Sequence, residues 1–417
     1  MSLVVPFRAL RPQKNYVQDV AALPYDVLEW DEARRIGEAN PKSFLHVEKP
    51  EIDFPAERLG DELSIHVAAR NTLERWIREG FLFQDDKPCF YVYGQKQGAH
   101  LQYGIVGCVS LAEYEAGQIK KHELTTVDKE RDRIKNIDTV NANTGLVFCV
   151  YPTSDAINRM VEEIVREAPE YDFVFDNGVA NSVWVVRDDQ RIAAIRKAFL
   201  EVQALYIADG HHRAAAAAAV ARLRKKGHPT QKGIEEHHFF AAGLFPDRQV
   251  RIMGYDRVVK DLNGLTEKEF LGRIGESFVV SPESRLKSPS RLHEFGMYLA
   301  GKAFCLHVKD VYLRQKDLIR TLDVSLLQDN LLAPILGVQD PRTDRRIKFV
   351  GSSRGIAALK DMVDTKEFAV AFSLYPPSLS QLMAVADSGQ VMPPKSTWFE
   401  PKLLSGLFIH LLDGGQM

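Results

Sequence analysis

Apolar and polar positions along the chain fall into blocks of strand and helix length. The run Ala204-Leu205-Tyr206-Ile207-Ala208 is a buried-strand candidate ending at Asp209-Gly210, and almost every residue from Ala214 to Lys226 is a strong helix former, so the segment reads strand, turn, helix. Arg222, Arg224, Lys225 and Lys226 suit the negative end of that helix, Gly227 suits a C-cap, and Pro229 forbids continuation. Upstream, Asp31 to Ala39 is a helix candidate that stops before Pro41, and Phe44-Leu45-His46-Val47 reads as a strand. Leu59, Leu63, Val67, Leu73, Trp76 and Ile77 recur at helical spacing between Ala56 and Arg78, with Gly80 as the stop. Cys89 to Tyr93 and Tyr103 to Leu111 flank a turn near Gly98 and predict a hairpin.

After the turn cluster Asn141 to Gly145 come a strand (Leu146 to Val150), a helix (Ala156 to Ala168), strands at Asp172 to Phe175 and Val183 to Val186, and a helix from Gln190 to Val202. A core strand beginning at His237 and running through Phe245 is expected to join Arg251 to Val259 by a hairpin across Pro246-Asp247. This mixed order, without a long βα repeat, predicts an α+β protein with a mixed-sheet core. Three segments are expected: an α+β core in residues 1–260, a smaller α+β subdomain in 261–359, and a C-terminal segment, 360–417, that returns to the core. Helix signals at Glu267 to Glu276 and near Val324 to Leu336, with strands Phe278 to Val280 and Phe304 to Val308, define the subdomain; the strand Phe368 to Tyr375 and the helix Ser378 to Ala386 open the last segment.

Composition narrows the function. The 417 residues are 45% hydrophobic and 26% charged with a net charge of −2, which argues against a general affinity for nucleic acid. Met1 to Val5 runs straight into Pro6 and Arg8, unlike a signal peptide, and no apolar run approaches membrane-span length, so a cytoplasmic protein with no membrane partner is expected. Four separated cysteines, with no C-x-x-C pair, predict core residues rather than a disulfide framework. Neither G-x-x-x-x-G-K-[ST] nor G-x-G-x-x-G occurs, which removes a P-loop and a Rossmann site.

The chemistry concentrates at Asp209-Gly210-His211-His212-Arg213. A helix start there offers N–H groups and positive potential to a phosphate, while Asp209, at the strand's end, can hold a divalent metal or accept a proton. A second concentration, Ile119 to Arg133, sets Glu123 as a potential base beside His122 and Thr125, with Lys129 and Arg133 to neutralise phosphate charge. The loop Met392-Pro393-Pro394-Lys395-Ser396-Thr397 presents an ammonium and two hydroxyls, and Arg8 and Asp26 lie in proline-rich stretches near the start. Glu235-Glu236-His237-His238 is set aside as a metal site, because adjacent ligands point apart on a strand.

The five residues from Asp209 to Arg213 resemble the signature of the family known as domain of unknown function 1015. Pro6 to Pro12, Leu23-Pro24-Tyr25-Asp26-Val27, His122-Glu123-Leu124-Thr125 and Met392 to Thr397 extend that resemblance over nearly the whole chain. Around the turn alone, the chain is also similar to free-serine kinases of the ParB/sulfiredoxin superfamily. That likeness implies a strand-turn-helix phosphate corner, ATP or ADP as co-substrate, Mg2+ near Asp209, and a carboxylate, Glu123 or else Asp209, that deprotonates the hydroxyl of free L-serine. His211, His212 and Arg213, with Gly210, would stabilise the transferred phosphoryl group; Lys395, Ser396, Thr397, His122, Thr125, Arg8 and Asp26 would hold the small substrate. Position 121 is lysine where that pattern usually has arginine, which removes a bidentate fork. Two other readings stay open: a ParB-like nucleotide-binding regulator, and a metal hydrolase using His122, His211 and His212. A homo-oligomer is compatible with each.

Overall fold

The computed structural model describes residues 2–415 apart from 56, 58, 61, 228–234 and 315. The stop expected at Pro229 and the helix start expected at Ala56 therefore lie outside the described residues. The protein is α+β, and its contacts divide it into two compact units: 1–121, 125–250 and 401–417 form the first; 122–124 and 251–400 form the second.

The first unit is built on a nine-stranded mixed sheet. Its order runs Ile119–Lys120, Leu205–Asp209, Val147–Tyr151, Phe239–Pro246, His100–Ser110, Phe90–Gln97, Ala180–Val186 and Tyr171–Val174, with Val4–Val5 added against His100–Ser110. The strand Leu205–Asp209, second from one edge of the sheet, is parallel to Ile119–Lys120 and antiparallel to Val147–Tyr151. Leu205 and Ile207 are fully buried, as a nearly continuous apolar run requires. The helix that follows, His211–Gly227, buries Ala214, Ala216, Ala217, Ala218 and Val220. Small side chains on that face let it pack closely on the helix Val127–Val140, with Ala216 and Val220 clustered around Ile137.

Three local expectations fail for identifiable reasons. Phe44 to Val47 is not a strand: Leu45–Glu48 is one helical turn, started where the Ser43 hydroxyl accepts the Leu45 N–H and packed through Phe44, Leu45 and Val47. Four residues, three of them apolar, carry no period long enough to separate the two states. Arg251 to Val259 is also not one strand paired with its predecessor. It breaks at Gly254, where a Cβ would lie 2.4 Å from the Leu374 carbonyl oxygen. Arg251–Met253 then pairs with Trp398–Glu400, while Tyr255–Val259 enters the second unit's sheet. The strand expected from His237 begins instead at Phe239, because Glu236–His238 forms a 3-10 turn in which His238 Nδ1 accepts the Glu235 N–H.

The second unit holds a six-stranded antiparallel sheet in the order Phe278–Glu283, Lys302–Val308, Glu294–Leu299, Val370–Leu374, Tyr255–Val259, Ile347–Gly351. The helix Gly355–Asp364 covers one face through Leu359 and Val363, which pack with Val258, Tyr298 and Val350. Among the described residues, no helix is long and apolar enough to cross a membrane.

Candidate functional site

At the end of the strand Leu205–Asp209 the register against Val147–Tyr151 shifts between Ile207 and Asp209. Such an irregularity re-aims a side chain that strict alternation would otherwise fix. Gly210 follows with φ 92°, in the left-handed region, and a Cβ there would stand 3.3 Å from Val147 Cα. The Ala214 N–H donates to the Gly210 carbonyl at 3.0 Å, so His211, His212 and Arg213 form the first turn of the helix. The N–H groups of a first turn have no acceptor inside their own helix, Gly210 has no side chain to cap them, and this turn contains no acid.

Asp209 is held on both oxygens. Oδ1 accepts the Gly210 N–H at 2.8 Å and Oδ2 accepts from Lys402 Nζ at 2.8 Å. Burial pushes this carboxyl up, but the charges of Lys402 and Arg213 and the Gly210 N–H outweigh it and hold it well below the usual carboxylate range. Asp209 is therefore an ionised group with a weak appetite for protons. Lys402, whose side chain is only 9% exposed, escaped the sequence reading; its one signal was a lysine directly after Pro401, close behind the Pro-Pro-Lys loop.

Arg213 turns away from the helix axis into the protein. It donates to the Leu146 carbonyl at 2.9 Å and to Glu48 Oε1 at 3.3 Å, and stands 4.0 Å from the Asp26 carboxylate. Arg133 is buried beside it, donating to the Glu48 carbonyl at 2.9 Å and to Asp132 at 2.6 and 2.8 Å. The Tyr25 ring lies 4.1 Å from the Arg133 guanidinium and 5.5 Å from that of Arg213. Burial raises the Glu48 carboxyl even though Arg213 draws it down. Glu48 carries no signal in the sequence, because it closes a turn whose preceding residues, Phe44 to Val47, have the composition of a strand. Glu48, Arg133 and Arg213 border a cavity of about 10 Å3, room for one water-sized molecule and too small for a phosphate.

The remaining candidates fall in both units. His211 is buried, and His212 Nε2 accepts the Thr126 N–H at 3.0 Å. The Thr125 hydroxyl donates to Glu130 at 2.6 Å, and Lys129 is exposed on the helix Val127–Val140. In the second unit, His122 Nε2 and Thr397 Oγ1 are 3.1 Å apart, and the Met392 N–H donates to the His122 carbonyl at 2.8 Å, so His122 and the Pro-Pro-Lys loop come together. Lys395 adopts φ 56°, its carbonyl accepts from Arg257 at 3.0 Å, and the Ser396 hydroxyl donates to the Pro393 carbonyl at 2.6 Å. Glu123 is partly buried between His122 and Leu124. Arg8 has a different set of partners, the carbonyls of Asp85 and Gly414.

Lys402→Met is expected to raise the Asp209 pKa and to cost about 1–2 kcal/mol at pH 7, a figure reduced because the Asp209 side chain is 30% exposed. A carboxyl depressed by folding contributes stability above its unfolded pKa of about 4, and that contribution is lost as pH falls through the folded value. The difference between parent and variant in urea unfolding should therefore shrink from pH 7 towards pH 2. An unchanged difference would contradict the ion-pair account.

These features define an α+β protein with an acid-cation pair at a strand-turn-helix corner. The chain belongs to the family described as protein of unknown function (DUF1015), whose model matches residues 4–325. Comparison with curated proteins gives no match. Among solved structures the chain is similar to a free serine kinase in complex with AMP (14% identity, 70% of this chain and 86% of that one, TM-score 0.34). It is also similar to a conserved hypothetical protein from Pyrococcus furiosus (14%, 73% and 94%, TM-score 0.34) and to C-terminally truncated SbnI from Staphylococcus aureus (10%, 72% and 85%, TM-score 0.39).

Proposed function

We propose that this protein is a small-molecule kinase that transfers a phosphoryl group from ATP or ADP to the hydroxyl of free L-serine or a similar small hydroxyl metabolite. The observation that carries this reading is the Asp209–Lys402 pair at 2.8 Å, beside a helix start whose first turn holds two histidines, an arginine and no acid. Nucleotide phosphates would lie on the N–H groups of that turn with His211 and His212 alongside. The guanidinium of Arg213 is committed to Leu146 and Glu48, so its contribution is charge and a fixed helix start rather than a bidentate phosphate contact. Arg133, committed to Asp132 and Glu48, acts in the same way, and Lys129, exposed on the helix Val127–Val140, is assigned to neutralise phosphate charge.

A magnesium ion bound with the nucleotide needs only one or two carboxylates from the protein, and Asp209 fits as one of them. When bound, the ion would neutralise phosphate charge. Glu123 is the proposed base: it takes the proton of the substrate hydroxyl as the new O–P bond forms and the bond to the departing ADP or AMP breaks. Thr125 and Asp26, which lie in the same unit as the corner, are assigned substrate contacts.

Isothermal titration with ADP and ATP in the presence of Mg2+ tests the phosphate corner. The parent should bind, and His212→Glu should weaken binding at least about tenfold, although an added anion at a helix start stabilises the fold by about 0.3–1 kcal/mol. Failure of the parent to bind either nucleotide would overturn the reading, and so would undiminished binding by His212→Glu.

A further inference from the structure

We propose that the second unit carries a site for a zinc-class divalent cation, held by Glu294, Cys305 and His307. Glu294 faces His307 across the antiparallel strands Glu294–Leu299 and Lys302–Val308. Cys305 lies two residues before His307, and so on the same face of the sheet. One ligand atom from each residue lies within 4.8 Å of the other two, and Cys305 Sγ is 3.4 Å from His307 Nε2. Ligand atoms around a tetrahedral zinc stand about 3.3–3.8 Å apart, given Zn–S near 2.3 Å and Zn–N near 2.0 Å. The trio therefore needs only small rotamer adjustments, on two strands flanked on both sides by paired neighbours.

The donor set chooses the metal. One sulfur, one imidazole and one carboxylate suit zinc or cobalt, whereas magnesium and calcium prefer all-oxygen shells. Three protein ligands leave a fourth position open. Access is available, since His307 and Arg291 line an open groove of about 700 Å3. The competing reading is a hydrogen-bonded polar cluster in which Arg291, 3.4 Å from Glu294, satisfies the carboxylate. The Arg291 side chain is 73% exposed, so it can yield its place to a cation. Binding would release the thiol proton to solvent and form the metal–sulfur bond.

The test is titration of the chelator-treated full chain with Co2+. A near-ultraviolet thiolate-to-cobalt band should saturate at one equivalent and be displaced by Zn2+. Cys89, Cys108 and Cys149 are buried, so Cys305→Ser should abolish the band. His307→Ala should weaken cobalt binding by at least about 100-fold, the upper end of the loss seen for a supporting residue. Arg291→Ala, a change at an exposed position, should tighten it several-fold. Absence of the band in the parent, its survival in Cys305→Ser, or equal affinity in the parent and His307→Ala would each overturn the site. None of these outcomes depends on the kinase reading.

Discussion

Glu123→Gln is expected to lower phosphoserine formation by about 10²–10⁴-fold while ADP and ATP bind as they do to the parent. Glutamine keeps the shape and can still hydrogen-bond a hydroxyl, but it cannot take the proton. The competing candidate for base is Asp209, and the structure argues against it on electrostatic grounds. Lys402 at 2.8 Å holds Asp209 ionised well below the usual carboxylate range, which makes it a poor proton acceptor and a good partner for a cation. Single-turnover assays beside nucleotide titrations separate the two. A loss confined to the chemical step assigns the base to Glu123; an active Glu123→Gln enzyme would return the role to Asp209.

Arg213→Ala is expected to cost about 3–5 kcal/mol of stability, because it leaves Glu48 buried without its guanidinium partner. An exposed arginine used only to contact phosphate would cost within about 0.5 kcal/mol. The two roles are therefore distinguishable by urea unfolding without any ligand. The pH dependence adds a second check. Burial already raises the Glu48 carboxyl, and losing Arg213 raises it further, so the variant's native state binds a proton more readily than its unfolded state does. The variant should then regain stability as pH falls from 8 to 5. A deficit below 1 kcal/mol would show that the Arg213–Glu48 contact does not hold the corner together.

The strand-turn-helix corner was legible because three independent signals coincide there: an apolar run, a glycine, and a helix-forming block with no acid at its start. The long helices and the hairpin around Gly98 were legible for the same reason, since a period repeated over ten or more residues leaves little ambiguity. What the sequence hid were the partners. Lys402 lies 193 positions from Asp209 and Glu48 lies 165 from Arg213, separations at which no local pattern reports contact. The commitment of Arg213 and Arg133 to buried acceptors was equally invisible, because an arginine in a charged stretch looks the same whether it points into solvent or under a tyrosine ring. The break at Gly254 shows a related limit: a glycine required by a carbonyl from a distant strand reads, in sequence, like any other glycine.

The central claim is that the corner from Asp209 to Arg213 serves phosphoryl transfer. Phosphorus NMR of the purified chain with Mg2+, L-serine and either ATP or ADP tests it most directly. The account predicts a phosphoserine resonance that grows with time and is lost in Glu123→Gln. Nucleotide binding without any phosphoserine, from either donor, would contradict it and leave the corner as a regulatory nucleotide site.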